Sequence, residues 1–315
     1  MLPARSFQVG KALAGQTLAA ALRAEYGALP WSEARELCRR GKVRVNGELE
    51  PDGARRLREG DAVAVDPAAT RRSAGVLAAE AIVHVDRQVV VVNKPAGLLT
   101  LPFERGDRDT LADQVRAWLR RDGSGQGAEL GVVQRLDKDT TGVIVFARTL
   151  AAKRALQQQF RRHDLERRYL AIVHGTLVGE RTLDSQLVRN RGDGLRGSFG
   201  HLRRARGEPP RDAQRAITHM RPLQALAGAS WVECRLETGR QHQIRIHLSE
   251  LGHPLVGEPV YIREYQGARL AAPRPMLHAA VLGFVHPGSG RPMRFELPPP
   301  DDFAELLARL GAPGR

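Results

Sequence analysis

The sequence predicts an α+β protein. Its central sheet is mixed but mainly antiparallel and flanked by helices, and a small helix–helix–hairpin domain precedes it. Three observations predict this. Short β-branched runs and amphipathic stretches are mixed along the chain without a regular βαβ rhythm. Asn46-Gly47 lies after Val43 and Val45, which alternate with Arg44, and this pair is the strongest short hairpin signal. The 315 residues suffice for two domains of ordinary size, at least one with a substantial core.

Residues 1–66 read as the small domain. Leu18, Leu22 and Tyr26 have helical spacing, with Thr17 as cap. A second helix follows in WSEARELCRRG, with Ser32 near its start and Gly41 as its stop. Its exposed side carries Arg35, Arg39, Arg40 and Lys42. The hairpin VRVNGELE and the alternating strand GDAVAVD complete a thin core. Residues 67–79 lack a period and read as a linker.

The second domain spans residues 80–300. The continuous run VVVVN, ended by Lys94-Pro95-Ala96-Gly97, reads as a buried central strand. Residues 110–121 form an amphipathic helix with Leu111, Val115, Trp118 and Leu119 on one face. A strand at 143–148, a helix at 149–163 capped by Thr149 and a strand at 168–175 follow. Residues 189–215 hold eight Arg against three acids and no apolar period. They read as a long loop or partly disordered arm, either a solvated insertion or a contact to a polyanion. A further strand turns at Thr238-Gly239 into a helix from about Gln241, opened by Arg240. Residues 301–315 are a C-terminal tail or helix.

Charge narrows the partner. Forty-nine basic and 35 acidic residues give a net charge of +14, and the sequence pI is about 10.9. A chain this basic is expected to meet a polyanion, nucleic acid being the commonest. Only five basic residues are Lys; the rest are Arg, which forks onto phosphates and stacks on bases. Two distant cysteines make neither a disulfide framework nor a zinc cluster and suit a reducing cytoplasm. No apolar run of about 18 residues is present, so no membrane span is expected. No phosphate-loop, dinucleotide-turn, zinc-protease or serine-hydrolase motif occurs.

One carboxylate remains in a basic context: Asp137, between Arg135 and Lys138 in GVVQRLDKDTTG. Beside Arg in a concave site, opposite charge favours an ionised Asp, which can serve as nucleophile or general base. A structural Asp capping a turn is the alternative. A second constellation, LETGRQHQIRIHL, places Arg240, Gln241, His242 and Gln243 near a helix N-terminus with Arg245 following. Alone, it also reads as a basic surface helix.

Together these motifs resemble a known family. QRLDKDTTG is similar to the H-R-L-D-x-x-T-S-G signature of the pseudouridine synthases that modify large-subunit ribosomal RNA and some tRNAs, the RluA-like family. VVVVNKPAGLLTLP, RRYLAIVHG, LETGRQHQIRIHL with GHPLVGE, and LHAAVLGFVHP resemble the other family landmarks in the same order. The resemblance covers about residues 80–300. SEARELCRRGKVRVNG and GDAVAV resemble the small RNA-binding domain first seen in a ribosomal small-subunit protein. Gln134 stands where the family has His, Thr141 where it has Ser, and Glu258 where it usually has Asp. The first helix also lacks the usual Arg-Leu-Asp opening.

The resemblance implies an isomerase that converts uridine in RNA to pseudouridine without cofactor, metal or nucleotide. Asp137, Tyr169 and Arg245 would be catalytic. Arg245 would pair with the carboxylate, and Tyr169 would stack on the uracil. Arg135, Arg240, His242, Lys94 and Thr141, with Arg39, Arg40 and Lys42 of the small domain, would contact RNA. Arg135 would fill the position vacated by the flipped uridine, and Leu136 would point into the core. Ribosomal RNA is the expected partner, with tRNA as the alternative, for a cytoplasmic monomer. Two other classes compete: a non-catalytic RNA-binding or ribosome-assembly factor on the same fold, and an enzyme that forms a phosphoaspartate.

Overall fold

The computed structural model describes residues 2–27, 29–39, 41–50, 52–67, 77–102, 107, 109–123, 130–201 and 207–311. The chain divides into two compact units, Met1–Val76 with Leu101–Ala117, and Leu77–Thr100 with Trp118–Arg315. Nine of the thirteen residues of the expected linker, 68–76, lie outside the described residues.

In the first unit, β1 (Arg5–Gln8) is followed by α1 (Leu18–Glu25) and α2 (Trp31–Arg39), then β2 (Val43–Val45), β3 (Glu48–Leu49) and β4 (Ala62–Val65). Thr17 caps α1 by accepting from the Ala20 amide. Asn46 and Gly47 both take positive φ, 54° and 84°, as the tight hairpin turn between β2 and β3 requires. The Asn46 amide also donates to Asp61 and its carbonyl accepts from the Ala62 amide, tying the hairpin to β4. The sheet runs β1-β4-β2-β3, so β1, which lacks a clear sequence signal, supplies an edge. Leu18, Leu22, Cys38, Val43, Val45, Val63 and Val65 form the core.

The second unit is built on one large sheet. Its strands are β5 (Ile82–Val85), β6 (Val89–Lys94), β7 (Gly131–Val132), β8 (Thr141–Ala147), β9 (Glu166–His174), β10 (Arg181–Val188), β11 (Gly197–Ser198), β12 (Gln214–Leu226), β13 (Ala229–Leu236), β14 (Leu277–Val285) and β15 (Pro292–Glu296). The order is β11-β10-β12-β13-β9-β14-β8-β6-β5, with β15 on β14 and β7 on β8. Only β8 and β14 pair in parallel among the described strands; every other pairing is antiparallel. Its helices are α4 (Leu150–Arg162), α5 (Gln243–Glu250) and α6 (Asp301–Gly311), whereas α3 (Leu111–Arg121) belongs to the first unit up to Ala117. Thr149 caps α4, and α6 resolves the C-terminal alternative as a helix.

Three expectations are corrected. The Val89–Val92 run is fully buried, but β6 lies next to the edge strand β5, not centrally. Burial on both faces, not position in the sheet, explains its unbroken apolar pattern. The segment 189–215 is not simply a loop. The Asn190 side chain accepts from two glycine amides, β11 pairs with β10, and β12 already begins at Gln214. Residues 202–206 lie outside the described residues. Finally, α5 starts at Gln243 and not at Gln241, because His242 takes a left-handed φ of 58° immediately before it.

Candidate active site

Asp137 stands in the connection from β7 to β8. Its neighbours are directed oppositely: Arg135 is exposed, whereas Leu136 is buried. The Thr100 hydroxyl explains the anchoring of Leu136, donating to its carbonyl at 2.7 Å and accepting from its amide at 3.1 Å. The next turn closes through the Thr140 amide, which donates to the Asp137 carbonyl at 3.2 Å. Gly142, φ 112°, then crosses β14 so closely that a Cβ would fall 2.2 Å from the Ala279 carbonyl oxygen. Only glycine fits that approach.

Two buried cations hold this turn from beneath. The Lys94 ammonium donates to the carbonyls of Pro95, Lys138 and Thr140 at 2.8, 2.7 and 2.9 Å. Arg274 donates to the Asp139 carbonyl at 3.2 Å while its other edge pairs with Asp302 of α6. Burial pushes the Lys94 ammonium down to about 7, opposed by Asp139 and Asp137. Lys94 is fully buried, so the expectation that it contacts RNA is corrected. Its three donors are committed to backbone oxygens. The same holds for Thr141, which is buried and whose hydroxyl bonds His278 Nδ1 at 2.9 Å.

Arg245 reaches the site from α5. Its Nε and Nη2 donate to the two carboxylate oxygens of Glu258 at 2.8 and 2.7 Å, leaving Nη1 3.4 Å from Asp137 Oδ2. The Glu258 side chain has no exposed surface. Burial pushes its carboxyl up, but Arg245 and the amides of Val260 and Tyr261 hold it below its ordinary value. Burial likewise opposes the Arg245 charge, and Glu258 raises it beyond the ordinary guanidinium value. Arg240, the alternative partner for Asp137, precedes the helix, is exposed, and donates Nε to the Arg215 carbonyl.

His242 lies on the other side of the carboxylate, Nε2 3.9 Å from Asp137 Oδ1 and Nδ1 2.7 Å from the Tyr261 hydroxyl. Burial lowers its pKa, with Asp137 opposing. Tyr169 comes from β9, in register with Cys234 of β13 and Ala279 of β14. Burial raises its phenol, Arg167 opposes, and Asp137 adds to the rise. A tight cleft of about 50 Å³ gathers Asp137, Tyr169, Arg245 and His242 with the apolar Leu236, Ile244 and Leu277; Arg135 and Arg240 also line it.

The structure thus brings together Asp137, Tyr169, Arg245, Arg135, Arg240 and His242. It does not bring Lys94 or Thr141 to the surface. The Arg39 side chain and all of Arg40 lie outside the described residues, and Lys42 follows α2 in the first unit. Sequence reasoning marked Glu258 only as a departure from the family's usual Asp and did not place it in the cluster; Tyr261 it missed.

A model of the RNA pseudouridylate synthase family matches residues 88–250. The chain belongs to that family. It is an isomerase family acting on RNA, and the phosphoaspartate alternative falls with it. The ribosomal large subunit pseudouridine synthase D of Zymomonas mobilis subsp. mobilis is 40% identical over 236 residues, 73% of this chain and 72% of that protein. Its namesake from Xanthomonas campestris pv. campestris is 38% identical over 73% of this chain and 69% of that one. The uncharacterized RNA pseudouridine synthase YlyB of Bacillus subtilis is 36% identical over 73% and 72%. Human RNA pseudouridylate synthase domain containing 4 shares the fold, with a TM-score of 0.61 at 23% identity, over 75% of this chain and 95% of that one. No helix among the described residues is long and apolar enough to cross a membrane.

Proposed function

We propose that this chain isomerises a uridine of large-subunit ribosomal RNA in the cytoplasm, using the Asp137 carboxylate. The observation that carries the reading is the position of that carboxylate. It sits in a tight cleft with Tyr169, 3.4 Å from a guanidinium whose other edge is neutralised by Glu258. The pseudouridine synthase D relatives, named for the large ribosomal subunit, support the substrate.

The reaction breaks the bond from N1 of uracil to C1′ of the ribose, rotates the base, and joins C5 to C1′. The proton leaves C5 and N1 gains one, so the base keeps its composition. Asp137 is the group that acts on the detached base or the sugar. Arg245 stabilises negative charge at the carboxylate and in its surroundings within a poorly solvated cleft. Tyr169 supports the uracil face, and its hydroxyl, without a hydrogen-bond partner among the described residues, serves proton transfer at C5. The target base must leave its stack, at a cost of about a few kcal/mol. Exposed Arg135 fills the gap, stacking on the neighbouring bases.

The first unit is proposed to hold RNA through α2 and Lys42. The reading is tested by mapping pseudouridine in large-subunit RNA from cells with and without the gene. A uridine modified only in its presence supports the assignment. Loss confined to tRNA would move the substrate, and an unchanged map in both RNAs would favour a non-catalytic binding factor.

A further inference from the structure

Beside the catalytic cleft lies a larger groove, of about 250 Å³, that the reaction at Asp137 does not use. Its floor is apolar: Leu187 and Val188 at the end of β10, and Ile246 of α5. Its walls carry Arg135, Arg189, Arg196 and Arg240, with Asp212 the one carboxylate among its lining residues. Arg135 and Arg240 also line the catalytic cleft, so the two concavities share a rim.

The charges in this groove are poorly compensated. Arg189 makes one loose, exposed pair with Asp212 at 3.6 Å. Arg135, Arg196 and Arg240 have no carboxylate partner among the described residues. Elsewhere in the same basic segment, Arg191 pairs with Asp193 and Glu264, and Arg215 with Asp184. The groove is also braced from behind. The Ser198 hydroxyl donates to Glu250 of α5 at 2.5 Å and its oxygen accepts from the Ser185 hydroxyl of β10 at 2.8 Å, and Ser185 meets His247 at 2.9 Å. The basic segment is thereby fixed to the helix that carries Arg245. Unpaired guanidiniums around an apolar floor suit a ligand that is anionic along one edge and flat and apolar along the other.

We propose that this groove is a second nucleotide site, holding the base and phosphate of a residue neighbouring the target uridine in single-stranded RNA. This rests on the RNA-modifying reading above. The volume is close to the lower limit of about 300 Å³ for small-molecule pockets and far too small for a duplex. The base lies on Leu187, Val188 and Ile246, its edge covered by guanidinium planes. Arg196 and Arg240 take the phosphate. Arg189 and Arg196 therefore read the RNA strand next to the flipped uridine.

The test is fluorescence anisotropy of the full chain with labelled hexauridylate, and with a hexamer that keeps one uracil and is abasic elsewhere. Arg196→Ala should weaken hexauridylate binding about tenfold and lower the salt slope by about 0.7, one phosphate contact on a single strand. Arg154→Ala, an exposed α4 control, should change affinity less than twofold. Wild type should bind hexauridylate more tightly than the one-uracil hexamer, and Gln214→Trp, which blocks the groove from its exposed rim, should erase that preference. Equal effects of Arg196→Ala and Arg154→Ala, a preference untouched by Gln214→Trp, or no hexauridylate binding by wild type would overturn the proposal. The expected binding pattern without isomerisation would sink the enzymatic reading and leave the groove standing.

Discussion

Glu258 determines how much of Arg245 is left for Asp137. With both of its oxygens on Arg245, it fixes the guanidinium so that Nη1 alone faces the cleft. Glu258→Gln removes one charge of a buried pair, which costs about 3–5 kcal/mol. Chemical denaturation at pH 7 should show that loss. The Glu258 carboxyl lies below its ordinary 4.5 in the fold, so its stabilisation is complete above about pH 4.5 and is lost as pH falls through the folded value. The stability gap between wild type and Glu258→Gln should therefore narrow on acidification below 4.5. A gap independent of pH would contradict the charged pair. At this scale the sequence was informative where a side chain ends in the cleft. Asp137, Tyr169 and Arg245 do meet there. It was misleading for Lys94 and Thr141, since a residue type does not disclose whether a polar group faces solvent or spans two strands beneath the surface. Gln134 has its amide nitrogen buried without a hydrogen-bond partner among the described residues.

The element that matters most is the connection between β7 and β8, because its shape is imposed from outside. Lys94 of β6 ties three carbonyls around it, and Gly142 lets β8 dock on β14. Lys94→Met keeps the stem but strands those carbonyls, at about 1–3 kcal/mol for each buried group left unsatisfied, offset by relief from burying a charge. The expected net result is a stability loss of about 2 kcal/mol and a fall in turnover at least tenfold, with hexauridylate affinity unchanged. Thermal unfolding with single-turnover kinetics checks it; a stable variant with normal turnover would mean the turn holds itself. Periodicity located α3, α4, β8 and β9 because their faces are strongly biased. It missed the start of α5, where the left-handed His242 delays the helix by two residues. It also missed β10 and β12, whose exposed sides carry Arg and Asp pairs and thus resemble a polar loop.

At the scale of the molecule, charge and acid stability follow from distribution. Residues 1–66 hold eleven basic and nine acidic side chains, only +2 of the total +14. Deleting them should weaken RNA affinity while leaving single-turnover chemistry and most of the salt dependence in place, as measured by anisotropy across a salt series. An unaffected affinity with lost chemistry would contradict this. His247 and His278, both buried, are pushed down to about 4 by burial. Their folded values lie below the ordinary 6.5, so stability is lost as pH falls from about 6.5 toward 4, at most about 3 kcal/mol for each. Urea denaturation between pH 7 and 4 should show that decline, and a flat profile would count against neutral buried histidines. The α+β class was legible because alternating and helical periods are local. Strand order was not, because pairing such as that of β8 with β14 joins segments more than 130 residues apart.

The central claim is that Asp137 performs the isomerisation. Tritium release from RNA labelled at C5 of uridine, taken from cells lacking the gene, tests it most directly when wild type is compared with Asp137→Asn. Release by wild type alone, with RNA binding equal in both proteins, is the predicted result. Release by Asp137→Asn at the wild-type rate would contradict it.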